Sequence, residues 1–360
     1  MTGSVYGGSF AAGRTVDVHA HAVVPGVDAL LAGQAGHAAQ QQRDARWFGE
    51  AAGAVNRTQL SRLGPLLTDV QRRLEAMDAA RVEVQVVAPM PFYHPWADAN
   101  LAEKVFAVTN EGIAGLTTAD PDRLIGLGTV ALHHPELAVR QLDACVGKLG
   151  LRGVQIGTVA GEWELDHPSL ADFWARAEEL GALVLVHPWG CTLGERLADY
   201  YLANTVGNPV ETTVALSRLI FSGLLDRHPS LDICSVHGGG YLPYYLGRSD
   251  HAWHERPDAH TCAQPPSSYP RRIWFDSLVY TPAALRALVD AVGADRVLLG
   301  SDYPFDMGVT DPVDRLEAAG LDAATVAGIA GGNAARLGLT VTNHASPTPA
   351  HDGRTTGALS

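Results

Sequence analysis

Short runs of β-branched and aliphatic residues recur along the chain, and between them lie longer segments whose apolar positions repeat at helical spacing. The apolar runs predict strands near 15–19, 82–88, 123–130, 152–157, 182–187, 232–237, 272–277 and 296–301. Between them, 135–149 carries Leu137, Ala138, Leu142, Cys145 and Val146 on one face, and 169–180 carries Leu170, Phe173, Trp174 and Ala177. Both read as amphipathic helices. Strands separated by helices pair in parallel, and eight such units in about 300 residues predict an α/β chain closed into a (β/α)8 barrel over residues 14–340.

Three stretches fall outside this plan. Residues 1–13 are rich in Gly, Ser and Ala and read as a flexible N-terminus. Residues 26–65 form an insertion after strand one, with Gln40-Gln41-Gln42 and few aliphatic positions, expected as a lid over the barrel mouth or a loose excursion. The tail 341–360, with Ser346-Pro347-Thr348-Pro349, reads as disordered, and His344 and His351 within it as incidental.

The strand ends carry the chemistry. His19-Ala20-His21 closes the first run, and residues two apart on a strand project from the same face. Two imidazoles so held supply half a tetrahedral metal shell, although the motif alone also suits a half-buried strand with incidental histidines. The event recurs: Val184 to Val186 ends in His187, Ile233 to Val236 ends in His237, and Val297 to Ser301 ends in Asp302. In a barrel these five groups converge at the C-terminal mouth. Tyr93, His94 and Trp96, after strand two, belong to a loop that faces the same mouth.

Composition narrows the field. A 46% hydrophobic content over 360 residues supports a large core, and a net charge of -13 with no Lys/Arg-rich run argues against nucleic acid. Cys145, Cys191, Cys234 and Cys262 show no Cys-x-x-Cys spacing and read as free thiols in a reducing cytoplasm. With no basic-apolar leader and no long apolar run, secretion and membrane insertion are disfavoured. Gly238-Gly239-Gly240 lacks the Lys-Ser/Thr of a phosphate loop and reads as room for close backbone approach.

The chain resembles the amidohydrolase superfamily over about residues 15–340, and within it the aminocarboxymuconate-semialdehyde decarboxylases and related metal-dependent decarboxylases. The stretches that carry the resemblance include Asp17-Val18-His19-Ala20-His21, Gly153-Val154-Gln155-Ile156-Gly157-Thr158, His187-Pro188-Trp189, Glu211-Thr212-Thr213, His237-Gly238-Gly239-Gly240 and Asp302-Tyr303-Pro304-Phe305. The resemblance implies an amidohydrolase-type TIM barrel in which His19, His21, His187 and Asp302 bind zinc or another divalent transition metal, and His237 acts as the catalytic histidine. It implies substrate binding by Arg57 and Arg248, with Arg248 reaching the active site of a neighbouring subunit and hence a homodimer. The segment after Arg57 departs from the family pattern, with Leu63-Gly64-Pro65-Leu66-Leu67 in place of an aromatic-acidic stretch. Trp189 and Phe305, beside ligand-bearing strand ends, are expected to wall the pocket.

The implied activity is non-oxidative decarboxylation of an unsaturated or aromatic amino- or hydroxy-carboxylate, with 2-amino-3-carboxymuconate 6-semialdehyde as leading substrate. His237 serves as the proton carrier, and the order of water attack and carbon protonation stays open. Two alternatives remain: a lactonase-like hydrolase on the same barrel, and a metal-binding barrel without catalysis. The expected partner is a small carboxylate, with neither nucleic acid nor membrane.

Overall fold

The computed structural model describes residues 13–340; the N-terminal stretch before Gly13, and the tail with its two histidines, lie outside the described residues. Eight short parallel strands form the centre: β1 (Val16–Ala22), β2 (Val84–Pro89), β3 (Leu124–Gly126 and Gly128–Thr129), β4 (Gly153–Ile156), β5 (Leu183–Val186), β6 (Ile233–Ser235), β7 (Trp274–Asp276) and β8 (Val297–Leu298). Each falls within or overlaps the run the sequence assigned to it. β1 to β3 form one ladder and the second half of β3 through β8 another. Leu127 N–H donates to the Val87 carbonyl (2.9 Å) and Arg152 N–H to the Gly126 carbonyl (2.9 Å), carrying the sheet across the break in β3. Val18 N–H donates to the Leu299 carbonyl (2.9 Å), and Ala20 bridges Tyr303 in parallel, so β1 meets β8 and the barrel closes.

Two apolar layers result from the strict alternation along each strand. Leu183, Leu185, Cys234, Trp274 and Leu298 pack with Val16, Val18, Val84 and Val86, against Ala334, Leu337 and Leu339. The intervening residues, such as Val184, Val186, Ile233, Phe275 and Val297, pack against the helices. The face that holds Leu183 and Leu185 continues into His187, so the barrel's own alternation aims that imidazole.

The helix expected over 135–149 is α-helical over Pro135–Asp143 and then widens into a π turn over Ala144–Lys148. That turn seats Cys145 against Gly128, where an added Cβ would lie 2.5 Å from the sulfur. The expected 169–180 helix runs Ala171–Leu180 and stops at Gly181, whose φ of 57° suits a helix C-terminus. The insertion after β1 is helical: α1 (Val27–Leu31) and the long α2 (Ala35–Thr68), followed by α3 (Val70–Ala79). α2 breaks at Gly49 (φ 73°, ψ 168°), where a Cβ would lie 2.1 Å from the Ala198 carbonyl oxygen. The helix is held by Trp96, whose indole N–H donates to Gln40 (2.6 Å), and by Trp47, packed on Gly190.

Candidate metal centre

At the C-terminal mouth, β1 presents His19 and His21, the residue after β5 is His187, and Asp302 follows β8; all four are buried. One ligand atom from each lies within 4.8 Å of every other. Asp302 Oδ1 is 3.3 Å from His19 Nε2 and 3.2 Å from His21 Nε2. Asp302 turns into this position through a left-handed backbone (φ 57°) pinned by its N–H on the His19 carbonyl (2.7 Å).

Hydrogen bonds to the opposite ring nitrogens set the direction of all three imidazoles. His19 Nδ1 donates to Asp276 Oδ2 (2.7 Å), His21 Nδ1 to the Pro89 carbonyl (3.2 Å) and His187 Nδ1 to the Pro188 carbonyl (2.8 Å). With Nδ1 carrying the proton, each Nε2 is left as a lone pair, and all three Nε2 atoms are buried without a hydrogen-bond partner. Buried polar atoms are rarely orphaned, and three aimed at one carboxylate fit a divalent metal ion. Burial pulls His21 and His187 below the ordinary imidazole value, favouring the neutral form that ligates. Burial acts on His19 in the same sense, but Asp302 and Asp276 outweigh it and raise that residue. Burial would raise the Asp302 carboxyl as well; the surrounding imidazoles hold it well below its usual range.

His237 stands beside the cluster, its Nε2 3.6 Å from Asp302 Oδ2 and its ring 5.1 Å from that of His19. A positive φ (55°) swings it off the end of β6, and Gly238 follows in the same region, where an added Cβ would sit 2.4 Å from Val279. The glycine run therefore serves a turn that aims a histidine.

A polar network underlies the ligands. The Asp17 carboxylate accepts from the His19 N–H (3.1 Å), the Ser301 N–H (3.0 Å) and hydroxyl (2.6 Å), and the Gln85 amide (2.9 Å). Arg73, brought in by α3 and buried, donates to Gln85 (2.7 Å) and to the His21 carbonyl (2.6 Å). Burial pulls Arg73 down to about 10, so it stays charged at neutral pH. Asp276 was within reach of sequence reasoning, since it ends strand seven as Asp302 ends strand eight; Arg73 and Gln85 carry no local signal.

The cavity over the cluster includes His21, His187, His237 and Asp302 in its lining. Trp189 and Phe305 line it, Phe305 lying 5.6 Å from the His21 ring, and Phe48 and Phe92 pack on Trp189. From α2 the cavity receives Asn56, Gln59 and Leu60. Arg57 is not among its lining residues: with Asn56 and the pair Gln59 and Leu60 at i, i+3 and i+4 on the cavity face, Arg57 is rotated about 100° away and is exposed. Arg248 is exposed on the helix Leu246–Glu255 and also lies outside the cavity. Tyr93 turns its hydroxyl to the Ile156 and His187 carbonyls (3.1 and 2.9 Å), tying the loop after β2 to the His187 strand.

A family model described as Amidohydrolase matches residues 16–337. The chain is 36% identical to a 2-amino-3-carboxymuconate-6-semialdehyde decarboxylase of Dictyostelium discoideum over 252 residues, 69% of this chain and 70% of the relative. Among solved structures, 2,6-dihydroxybenzoate decarboxylase complexed with 2,6-dihydroxybenzoate is 26% identical at a TM-score of 0.77, with 91% of this chain and 99% of that one covered. The 5-carboxyvanillate decarboxylase of Novosphingobium aromaticivorans, complexed with manganese and 4-hydroxy-3-methoxy-5-nitrobenzoic acid, is 25% identical at a TM-score of 0.75, covering 90% and 95%.

Proposed function

The chain belongs to the amidohydrolase family, and from that premise we propose that it is a divalent-metal-dependent, non-oxidative decarboxylase of a conjugated or aromatic carboxylate. The observation that carries this reading is the set of three outward Nε2 lone pairs and Asp302, with His237 beside them, beneath a cavity walled by aromatic rings. His19, His21, His187 and Asp302 would hold the ion, zinc being the leading candidate because three imidazoles and one carboxylate match its preferred ligands. Manganese is the rival, since the 5-carboxyvanillate decarboxylase binds it. A divalent ion there supplies Lewis-acid charge that binds and polarises an anionic substrate.

The chain's own residues do the rest. Phe48, Trp189 and Phe305 sandwich a planar substrate and keep water from the carboxylate that leaves. When the carbon–carbon bond breaks, its electron pair stays on the ring or chain carbon, and CO2 departs. His237, protonated at Nε2, returns a proton to that carbon and is reloaded from solvent. The four cysteines are buried free thiols, which supports a reducing cytoplasm as its location, and no helix among the described residues is long and apolar enough to cross a membrane. A homodimer, with Arg248 at the contact, rests on the exposure of Arg248 and on the family resemblance.

Purified protein of known metal content, incubated with hydroxybenzoates and with freshly generated aminocarboxymuconate semialdehyde, tests the activity. Stoichiometric CO2, lost on chelation and restored by metal, is the expected result. No CO2 from these acids, with a lactone of a ring-cleavage product opened by uptake of one water, would instead establish the hydrolase.

A further inference from the structure

The three imidazoles of the centre owe their tautomers to unequal partners. His21 and His187 donate from Nδ1 to main-chain carbonyls, those of Pro89 and Pro188. A carbonyl only accepts, so these two tautomers are set by the backbone. His19 is the one of the three that donates to a side chain, Asp276 Oδ2 at 2.7 Å.

Asp276 has a second set of contacts. Its other oxygen, Oδ1, accepts from the Gly238 N–H (2.8 Å) and the Leu278 N–H (3.2 Å). Gly238 follows His237 in the turn off β6, and both hold a left-handed backbone, with φ of 60° and 55°. That conformation is unfavourable for a histidine and persists only where neighbouring contacts hold it.

The carboxylate itself is fully buried, and among the described residues no Lys or Arg pairs with it. Gly300 lies against it, where an added Cβ would be 2.7 Å from the Asp276 Cβ. Burying a carboxylate without a cationic side chain is costly, yet three N–H groups converge here from two sides. A carboxylate answers both sides, because each of its oxygens accepts and neither donates.

We propose that Asp276 is a positioning residue for both halves of the centre at once. Through Oδ2 it fixes His19 in the tautomer whose Nε2 is free to ligate, and through Oδ1 it holds the turn that presents His237. This rests on the metal centre of the decarboxylase reading, not on the reaction.

Asparagine separates the two roles. It has nearly the shape of aspartate but one acceptor, and two backbone N–H groups keep that oxygen at the Oδ1 side. Its NH2 then faces His19 Nδ1, which becomes the acceptor, and the ring proton moves to Nε2, the ligand atom. Alanine removes both contacts and leaves His19 free to take either tautomer.

The test compares full-length wild type, Asp276→Asn and Asp276→Ala. Zinc Kd is measured by chelator competition, and hydrogen exchange over 236–240 is followed in zinc-saturated protein relative to the β5 segment. Zinc binding is expected to weaken about 100-fold in Asp276→Asn and only about tenfold in Asp276→Ala. Exchange over 236–240 should keep its wild-type rate in Asp276→Asn and rise at least about tenfold in Asp276→Ala. A role in fold stability alone gives the reverse order of zinc affinities, asparagine being the milder change. That order, or wild-type zinc affinity in Asp276→Asn, overturns the proposal; so does unchanged exchange in Asp276→Ala. Asp276→Ser repeats the truncation if the alanine variant does not fold. If zinc affinity and exchange follow the expected pattern and wild type releases no CO2 from the acids tested for activity, the role of Asp276 stands and the decarboxylase reading fails.

Discussion

His237 and Arg73 divide the labour of the site at the level of single side chains. His237 meets the metal cluster with its Nε2 3.6 Å from Asp302 and its ring edge-on to His19 and His187, and it lines the cavity without being one of the four ligands, so its removal subtracts a proton carrier and spares the ligands. His237→Asn is expected to lower kcat by about a thousandfold while metal content, measured by elemental analysis, stays at the wild-type value. Arg73 is the converse case. Replacing it by Met strips the buried His21 carbonyl and Gln85 amide oxygen of their donor, at a cost of about 3 kcal/mol in unfolding free energy. Because Gln85 holds Asp17, and Asp17 holds His19 and Ser301, the loss should reach the ligands and weaken metal binding by ~10–100-fold. The absorption spectrum of the cobalt-substituted protein should shift with it; a spectrum and affinity unchanged in a destabilised variant would mean that Arg73 merely stabilises the fold.

Among the elements, the long helix α2 decides who reaches the cavity. Gly49 breaks it with a backbone open to glycine alone and packs on the Ala198 carbonyl, so Gly49→Val is expected to push the helix off the mouth. The measurable result is a KM raised about tenfold with a smaller change in kcat, and a stability loss of about 2 kcal/mol. The same break explains what the sequence concealed. The eight strands were legible because each is a short apolar run, and the polar ends of three of them, β1, β5 and β8, supply the four residues of the ligand set. The first half of α2 has few aliphatic positions and Gly49 resets the helical phase, so its apolar stripe of Leu60, Leu63 and Leu67 at i, i+3 and i+7 is confined to the last turns. Residues 26–65 accordingly read only as a lid or a loose excursion, and spacing alone could not tell that Asn56 faces the cavity and Arg57 faces solvent. The cavity-lining Asp306, Asn204 and Asn208 were silent for a related reason: they lie outside the strands and meet only when the barrel closes.

For the molecule as a whole, acid is the expected weak point, and a histidine away from the metal centre shows why. His94 is 6% exposed and sits between Trp96 and Phe106 with its Nδ1 unpartnered. Burial, reinforced by His37 and His133, pulls it down to about 4 from an ordinary 6.5. Between those values the unfolded chain binds a proton that the folded chain refuses, so stability rises with pH across this window. Above 6.5 both states are neutral and nothing is lost; as pH falls from 6.5 toward 4 the penalty grows to about 3 kcal/mol. Asparagine tolerates the left-handed backbone at this position (φ 43°) and does not titrate, which makes His94→Asn the matched control. In chelator-treated protein, denaturant unfolding at pH 7 and pH 5 should show wild type losing about 2 kcal/mol more than His94→Asn. His133, also pulled to about 4 by burial, remains in both proteins and cancels from the difference. Equal losses in the two proteins would mean that His94 gains a proton without unfolding, and would move the acid sensitivity to other buried histidines.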